Sequence, residues 1–223
     1  MSIADNLRRV RERVAAACER AGRSPDEVTI VGVGKTFPPE AIAEACRAGL
    51  ADIGENRVQE ALRKIPLVEA HGLHPRWHLV GHLQTNKAKT AVSLFAIIHS
   101  VDSLHLAEAL SKRADQPVPV LLEVNVAGEA SKFGFAPEEV AQAYRRIAAL
   151  PNLDLQGLMT VAPFVTDPEE VRPVFRRLRE LRDELGLREL SMGMTDDFEV
   201  AIDEGATMVR IGRAIFGPRP LEE

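Results

Sequence analysis

Residues 28–34, VTIVGVG, form an almost unbroken apolar run, and this feature limits the possible folds most. An antiparallel strand with one wet face would alternate apolar and polar side chains, whereas a strand covered on both faces reads as a continuous run. Covering both faces takes helices, and the rest of the chain supplies them. Strands are expected near 28–34, 51–54, 76–80, 96–101, 117–124, 154–160, 188–192 and 206–210. Between them lie helical stretches near 39–48, 57–66, 84–94, 103–114, 137–149, 168–185, 196–204 and 213–217. Strands alternating with helices define an α/β chain, either a closed barrel or a doubly wound open sheet. The eightfold repeat and the length of 223 residues favour a single (β/α)8 barrel over residues 1–223. An extra helix precedes it: Ile3, Leu7, Val10, Val14, Ala17 and Ala21 share one face, Ser2 with Asp5 reads as a capping box, and Gly22 ends it.

Composition narrows the function. A net charge of −5 with no basic block disfavours nucleic acid, so any bound anion must be held by a few placed groups. Cys18 and Cys46 fall in apolar helical patterns and read as reduced thiols, without a disulfide framework or metal spacing. The N-terminal residues MSIADNLRRVRERV carry neither an export signal nor a membrane span, so a soluble cytoplasmic protein is expected.

In a barrel, chemistry gathers where strands end and the following loops begin. Lys35 sits at such an end. The surrounding GVGKT (32–36) is not a P-loop: that motif needs a glycine at position 29, which is Thr29, and Phe37-Pro38-Pro39 interrupts the required helix. A lysine at a barrel mouth loses hydration, which favours the neutral amine used in Schiff-base chemistry. It is equally consistent with a side chain that snorkels into solvent.

Two further loops suit an anion. ELSMGMTDD (189–197) ends a strand with Ser191, Gly193 and Thr195 ahead of a helix, and in VRIGRAIFG (209–217) Gly212 opens a short helix. Hydroxyls and helix-opening amides together make a phosphate site in the place where barrels commonly carry one. Gly212 and Gly217 also fit plain turns, and Asp196 with Glu199 reads as a capping pair for the helix rather than an acid/base dyad. Arg210 lies inside an apolar strand, where a cation needs a ligand or an acid opposite it. His74, His78 and His82 recur every four residues. On a strand and loop they stand roughly 13 Å apart per step, so no metal site is expected. Asn56 with Gln59 reads as a helix cap, Ser131-Lys132 as a mouth or solvated pair, and Tyr144 as structural.

Taken together, GKT (34–36), IGENRVQE (53–60), WHLVGHLQTNK (77–87), EVNVAGEASKFG (123–134), GLMTVAP (157–163), SMGMTDD (191–197) and VRIGRAIFG (209–217) resemble the pyridoxal phosphate homeostasis protein family, related to the barrel domain of alanine racemase. The resemblance runs in family order from residue 28 to 217. It implies a monomeric barrel that carries pyridoxal 5′-phosphate (PLP) on Lys35 as a Schiff base. It also implies Ser191, Thr195, Gly212 and Arg213 in the phosphate loops, Asn56 near the ring and Arg210 facing the pyridine nitrogen. His78, Leu83, Lys132 and Met194 fall in matched segments without a defined role. Gly34 stands where the family has a serine, and Thr195 replaces a common serine while keeping the hydroxyl.

The expected function is that of a PLP-holding protein that maintains the cofactor pool, with no dedicated catalytic residue and no metal. It would affect amino-acid and keto-acid balance indirectly and hand PLP transiently to recipient enzymes. The alternatives are a PLP-dependent racemase or aldolase and a barrel that binds a different phosphate. The related racemases use a tyrosine from another domain, and the chain's one tyrosine lies mid-helix.

Overall fold

The computed structural model describes residues 2–218. Helix α1 (Ile3–Arg20) leads. It is followed by β1 (Thr29–Val33), α2 (Pro39–Arg47), β2 (Asp52–Glu55), α3 (Val58–Glu69), β3 (Arg76–Leu79), α4 (Ala88–Leu94), β4 (Ile97–Val101) and α5 (Leu104–Arg113). The second half runs β5 (Val118–Glu123), α6 (Val140–Ile147), β6 (Leu153–Met159), α7 (Arg172–Glu184), β7 (Glu189–Ser191), α8 (Phe198–Asp203), β8 (Met208–Ile211) and α9 (Arg213–Phe216). All pairs are parallel and β8 returns to β1, so the sheet is a closed eight-stranded barrel. The expected (β/α)8 barrel with an extra N-terminal helix is the observed fold.

Each expected strand appears within a few residues of its place. Several helices are shorter than the periodicity suggested, because their first turns are 3-10: Thr85–Lys87 precedes α4 and Pro168–Val171 precedes α7. Ser2 caps α1 by accepting from the Asp5 amide at 3.1 Å, and Gly22 leaves the helix at φ +65°. The apolar face of α1, with Leu7, Val10, Val14, Ala17 and Cys18 buried, packs beside α8, α9 and α2. Both cysteines are free. No helix among the described residues is long and apolar enough to cross a membrane.

Candidate functional site

The two-residue period of a strand sorts the barrel interior into layers. Ile97, Leu121, Met159 and Met208 pack together as one apolar layer, with Val161 against it. Two residues further along β4, β5 and β8 stand His99, Glu123 and Arg210, so the next layer toward the strand C-termini is polar. Ser191, at the end of β7, joins it. A buried polar layer is costly unless its members are hydrogen-bonded, and Arg210, Ser191 and His99 bond to one another and to their neighbours. Arg210 donates from Nη1 to Ser191 Oγ at 2.6 Å and from Nη2 to the Thr160 carbonyl at 2.7 Å. Ser191 Oγ lies 2.8 Å from His99 Nδ1, His99 Nε2 lies 2.9 Å from His78 Nδ1, and His78 Nε2 lies 2.9 Å from Asp52 Oδ1.

Above this layer a cavity of about 680 Å³ opens at the strand C-termini. Lys35, Asn56, Met194, Thr195, Arg210, Gly212 and Arg213 line it, with Val33, Phe37 and Val161 as its apolar walls. Lys35 reaches it two residues past the end of β1. Gly34 is fixed by its amide to the Gly54 carbonyl at 2.9 Å, and Thr36 takes a left-handed φ of +68°. Met192 and Gly193 clamp the β7 loop to β8 through Met192 N to Met208 O (3.1 Å) and Arg210 N to Gly193 O (2.9 Å). Asn56 comes to the wall because Gly81 lets the β3 loop lie directly on it. A Cβ at residue 81 would meet the Asn56 carbonyl oxygen at 2.5 Å and its Cα at 2.8 Å. Backbone atoms cannot swing aside, so Gly81→Ala is expected to cost about 1–3 kcal/mol and to displace Asn56. Thermal denaturation checks the cost; a variant as stable as wild type contradicts it.

The structure brings most of the expected residues to one place and moves others. Ser191, expected in the phosphate loops, is fully buried below the cavity, and its hydroxyl supports Arg210 and His99 instead. Odd and even strand positions point to opposite faces, and Ser191 falls on the inward one. His78 is likewise sealed in the barrel, and Leu83 is buried in the core outside the cavity. Lys132 lies in an adjoining pocket of about 160 Å³, tied to Glu129 at 2.8 Å and to the carbonyls of Val161 and Ala162. Arg213 forms the wall, but its guanidinium is engaged by both Asp196 oxygens, at 2.6 and 2.7 Å. Asp196 and Glu199 are therefore not a capping pair. Asp197 is the N-cap residue of α8 and accepts from the Met194 amide at 2.5 Å, while Glu199 pairs with Arg13. Asn56 does not cap α3 either, since Arg57 holds that position. Among the described residues no cluster of His, Cys, Asp or Glu could hold a metal ion.

Several residues of the site carry little signal in the linear pattern. Lys64, one helical face into α3, is buried against Glu55 Oε1 at 2.8 Å and donates to the Gly34 carbonyl at 2.8 Å, bracing the segment that bears Lys35. Burial and the neighbouring Glu60 carboxyl push Glu55 up to about 7, against the pull of Lys64. Burial and Asp102 push Glu123 up to about 7, opposed by Arg210 and His82. The only early sign of these groups was a charged residue inside an apolar run, as in ADIGEN and LLEVNV. Both carboxyls bind a proton more tightly folded than unfolded. The stability they contribute is therefore complete below about pH 4.5 and is lost as pH rises to about 7. Glu123→Gln is expected to flatten the fall in Tm between about pH 5 and pH 8, measured by thermal unfolding across that range; a slope identical to wild type contradicts it.

Comparison with known proteins places this geometry in a family. The family described as "Alanine racemase, N-terminal domain" matches residues 2–220. The pyridoxal phosphate homeostasis protein of Aquifex aeolicus is 48% identical, with 98% of this chain and 99% of that protein covered. The one from Pseudomonas aeruginosa is 45% identical over 98% and 96%. Among solved structures, PipY of Synechococcus elongatus, determined with PLP bound, is 36% identical with a TM-score of 0.85, covering 97% of this chain and all of that one. Alanine racemase of Clostridium difficile is 18% identical with a TM-score of 0.73. It shares the fold, and this chain covers 58% of its length. By match over almost its whole length, the chain belongs to the alanine racemase N-terminal domain family and, within it, to the pyridoxal phosphate homeostasis proteins.

Proposed function

We propose that this protein binds PLP in the cavity at the barrel mouth, attaches it through Lys35 and keeps it exchangeable, so that it maintains the cofactor pool rather than running a dedicated reaction. The observation that carries this is the convergence of Lys35, Arg210 and the Thr195 and Gly212–Arg213 walls on one cavity. The donor set suits the cofactor: an amine for its aldehyde, a buried cation for its ring, and a hydroxyl with a glycine-opened turn for its phosphate. When bound, the cofactor supplies an electrophilic aldehyde and a ring whose electron-withdrawing power depends on protonation of its nitrogen.

The chain's own groups disfavour strong use of that power. Burial lowers Arg210 to about 10, with Asp197 and Glu123 opposing the shift, so it is still a cation at neutral pH. A guanidinium only donates hydrogen bonds, so a ring nitrogen placed against Arg210 would be held as an acceptor, unprotonated. Asp196 neutralises Arg213, which leaves the phosphate wall to neutral donors such as the Thr195 hydroxyl. Tyr144, the chain's one tyrosine, is on α6 and packs against the core, which supports a holding role over racemisation. The partner would then be a recipient enzyme that takes the cofactor, and the protein would affect amino-acid and keto-acid balance through supply alone.

The test is titration of the purified protein with PLP, followed by visible absorbance, borohydride reduction and peptide mass mapping. A visible band is expected, with a phosphopyridoxyl mass on the Lys35 peptide. Loss of the band to an added PLP-requiring apo-enzyme is also expected, without interconversion of amino-acid enantiomers. A protein that stays colourless and unmodified overturns the assignment, and turnover of enantiomers points to the racemase alternative.

A further inference from the structure

The polar string inside the barrel runs from the floor to the mouth, and its polarity is set by its two ends. Arg210 can only donate. At the floor, hydrogen bonds from His78 and Arg76 outweigh burial and hold Asp52 below the usual carboxylate range, so it only accepts. Arg76 Nε lies 2.8 Å from Asp52 Oδ1, and its side chain is 61% exposed, so the floor end reaches solvent. Burial, with the Arg210 charge adding to it, holds His99 well below the ordinary imidazole range, so His99 is neutral.

Between these ends one assignment satisfies every group. Ser191 Oγ accepts from Arg210 and gives its own proton to His99 Nδ1. His99 Nε2–H donates to His78 Nδ1, and His78 Nε2–H donates to Asp52. The opposite polarity would charge His78 and put the His99 proton on Nδ1. Ser191 would then receive two donors, and its own proton would be stranded at a fully buried position with no acceptor left among the described residues. A stranded buried donor is costly.

We propose that Ser191, His99 and His78 are positioning residues for Arg210, a one-way hydrogen-bond chain anchored on Asp52 that locks the guanidinium so its remaining N–H groups face the cavity. The use of that lock, presenting a fixed donor to the cofactor ring, rests on the PLP reading; the lock itself belongs to the protein without ligand. Arginine has many rotamers, and holding it beforehand removes their entropy from the cost of binding.

Long-range 15N–1H spectra of the cofactor-free protein test the polarity. Both His78 and His99 are expected to carry the proton on Nε2, with bare Nδ1. The Arg210 Nη resonances should be resolved, because rotation is locked, and should average in Ser191→Ala, which strands Arg210 Nη1 and lowers Tm but leaves the barrel folded. After loading with PLP, Ser191→Ala and His99→Leu should each release the cofactor on the order of tenfold faster, and the double variant no faster than either alone. If His99→Leu does not fold, the Ser191→Ala spectra decide. A proton on His99 Nδ1, an imidazolium at either position, Arg210 resonances unaffected by Ser191→Ala, or additive losses each overturn the proposal. Failure of the PLP reading is a different result: wild type takes up no cofactor while the tautomer pattern stays as stated.

Discussion

Lys35→Ala is expected to abolish both the visible band and the borohydride-fixed mass, leaving the barrel folded. The effect is all-or-none because no other lysine lines the cavity among the described residues. Lys132, the next in line, is held in the adjoining pocket by Glu129 and two carbonyls, and Lys64 is buried behind the Gly34 carbonyl. The fold should survive because Lys35 is half-buried at a strand end and contributes no side chain to the apolar core. Circular dichroism should therefore stay that of wild type, with a loss of stability no larger than the roughly 0.5–3 kcal/mol of an ordinary point substitution. A retained band with mass on another lysine would show that the cavity, but not Lys35, selects the ligand. A retained mass on no particular peptide would mean nonspecific modification.

Lys64→Met should produce the largest loss of stability, about 3–5 kcal/mol above about pH 8 where the wild-type Glu55 is ionised, because it leaves Glu55 buried beside Glu60 with no cation. Glu55 has no exposed surface, and Lys64 is 8% exposed, so water cannot replace the lost partner. For a chain of this size each kcal/mol moves Tm by about 2–4 °C, so a drop of roughly 6–20 °C is expected in a thermal melt. The double variant Lys64→Met/Glu55→Leu should recover much of that loss, since an apolar pair of similar volume avoids burying charge. A single variant that melts within a degree or two of wild type would show that Glu55 is already protonated and needs no cation. In that event Lys64 would matter only through its bond to the Gly34 carbonyl, read as weaker PLP retention at unchanged Tm.

The barrel was legible in the linear pattern because strand and helix periods are local properties. VTIVGVG and ATMVRIG announce strands covered on both faces, and the spacing between such runs leaves room for one helix each. The mouth was legible for the same reason: Lys35, Asn56, Thr195, Gly212 and Arg213 follow directly on strand ends, and strand ends are where a barrel opens. Arg210 drew attention as a cation inside an apolar strand, which is a violation visible without coordinates.

What the linear order could not decide is which polar residues meet across the barrel. Asp52, His78, His99, Ser191 and Arg210 come from five different strands, and only closure of the sheet brings them within hydrogen-bond distance. A shift of one residue in any strand would turn its member of the string outward. Ser191 illustrates the division. Its place in the SMGMTDD segment suggested a phosphate ligand, whereas its inward direction in β7 makes it a support for Arg210. Lys64, Glu55 and Gly34 are joined in the same way, by the packing of α3 against the end of β1. The sequence by itself determined the order of elements, the doubly covered parallel strands and the ring of loop residues, because each follows from local periodicity, and the count of eight favoured closure. The tertiary structure alone decided the proton wiring beneath the mouth, because hydrogen bonds act over about 3 Å and the residues that share them lie 9 to 92 positions apart in the chain.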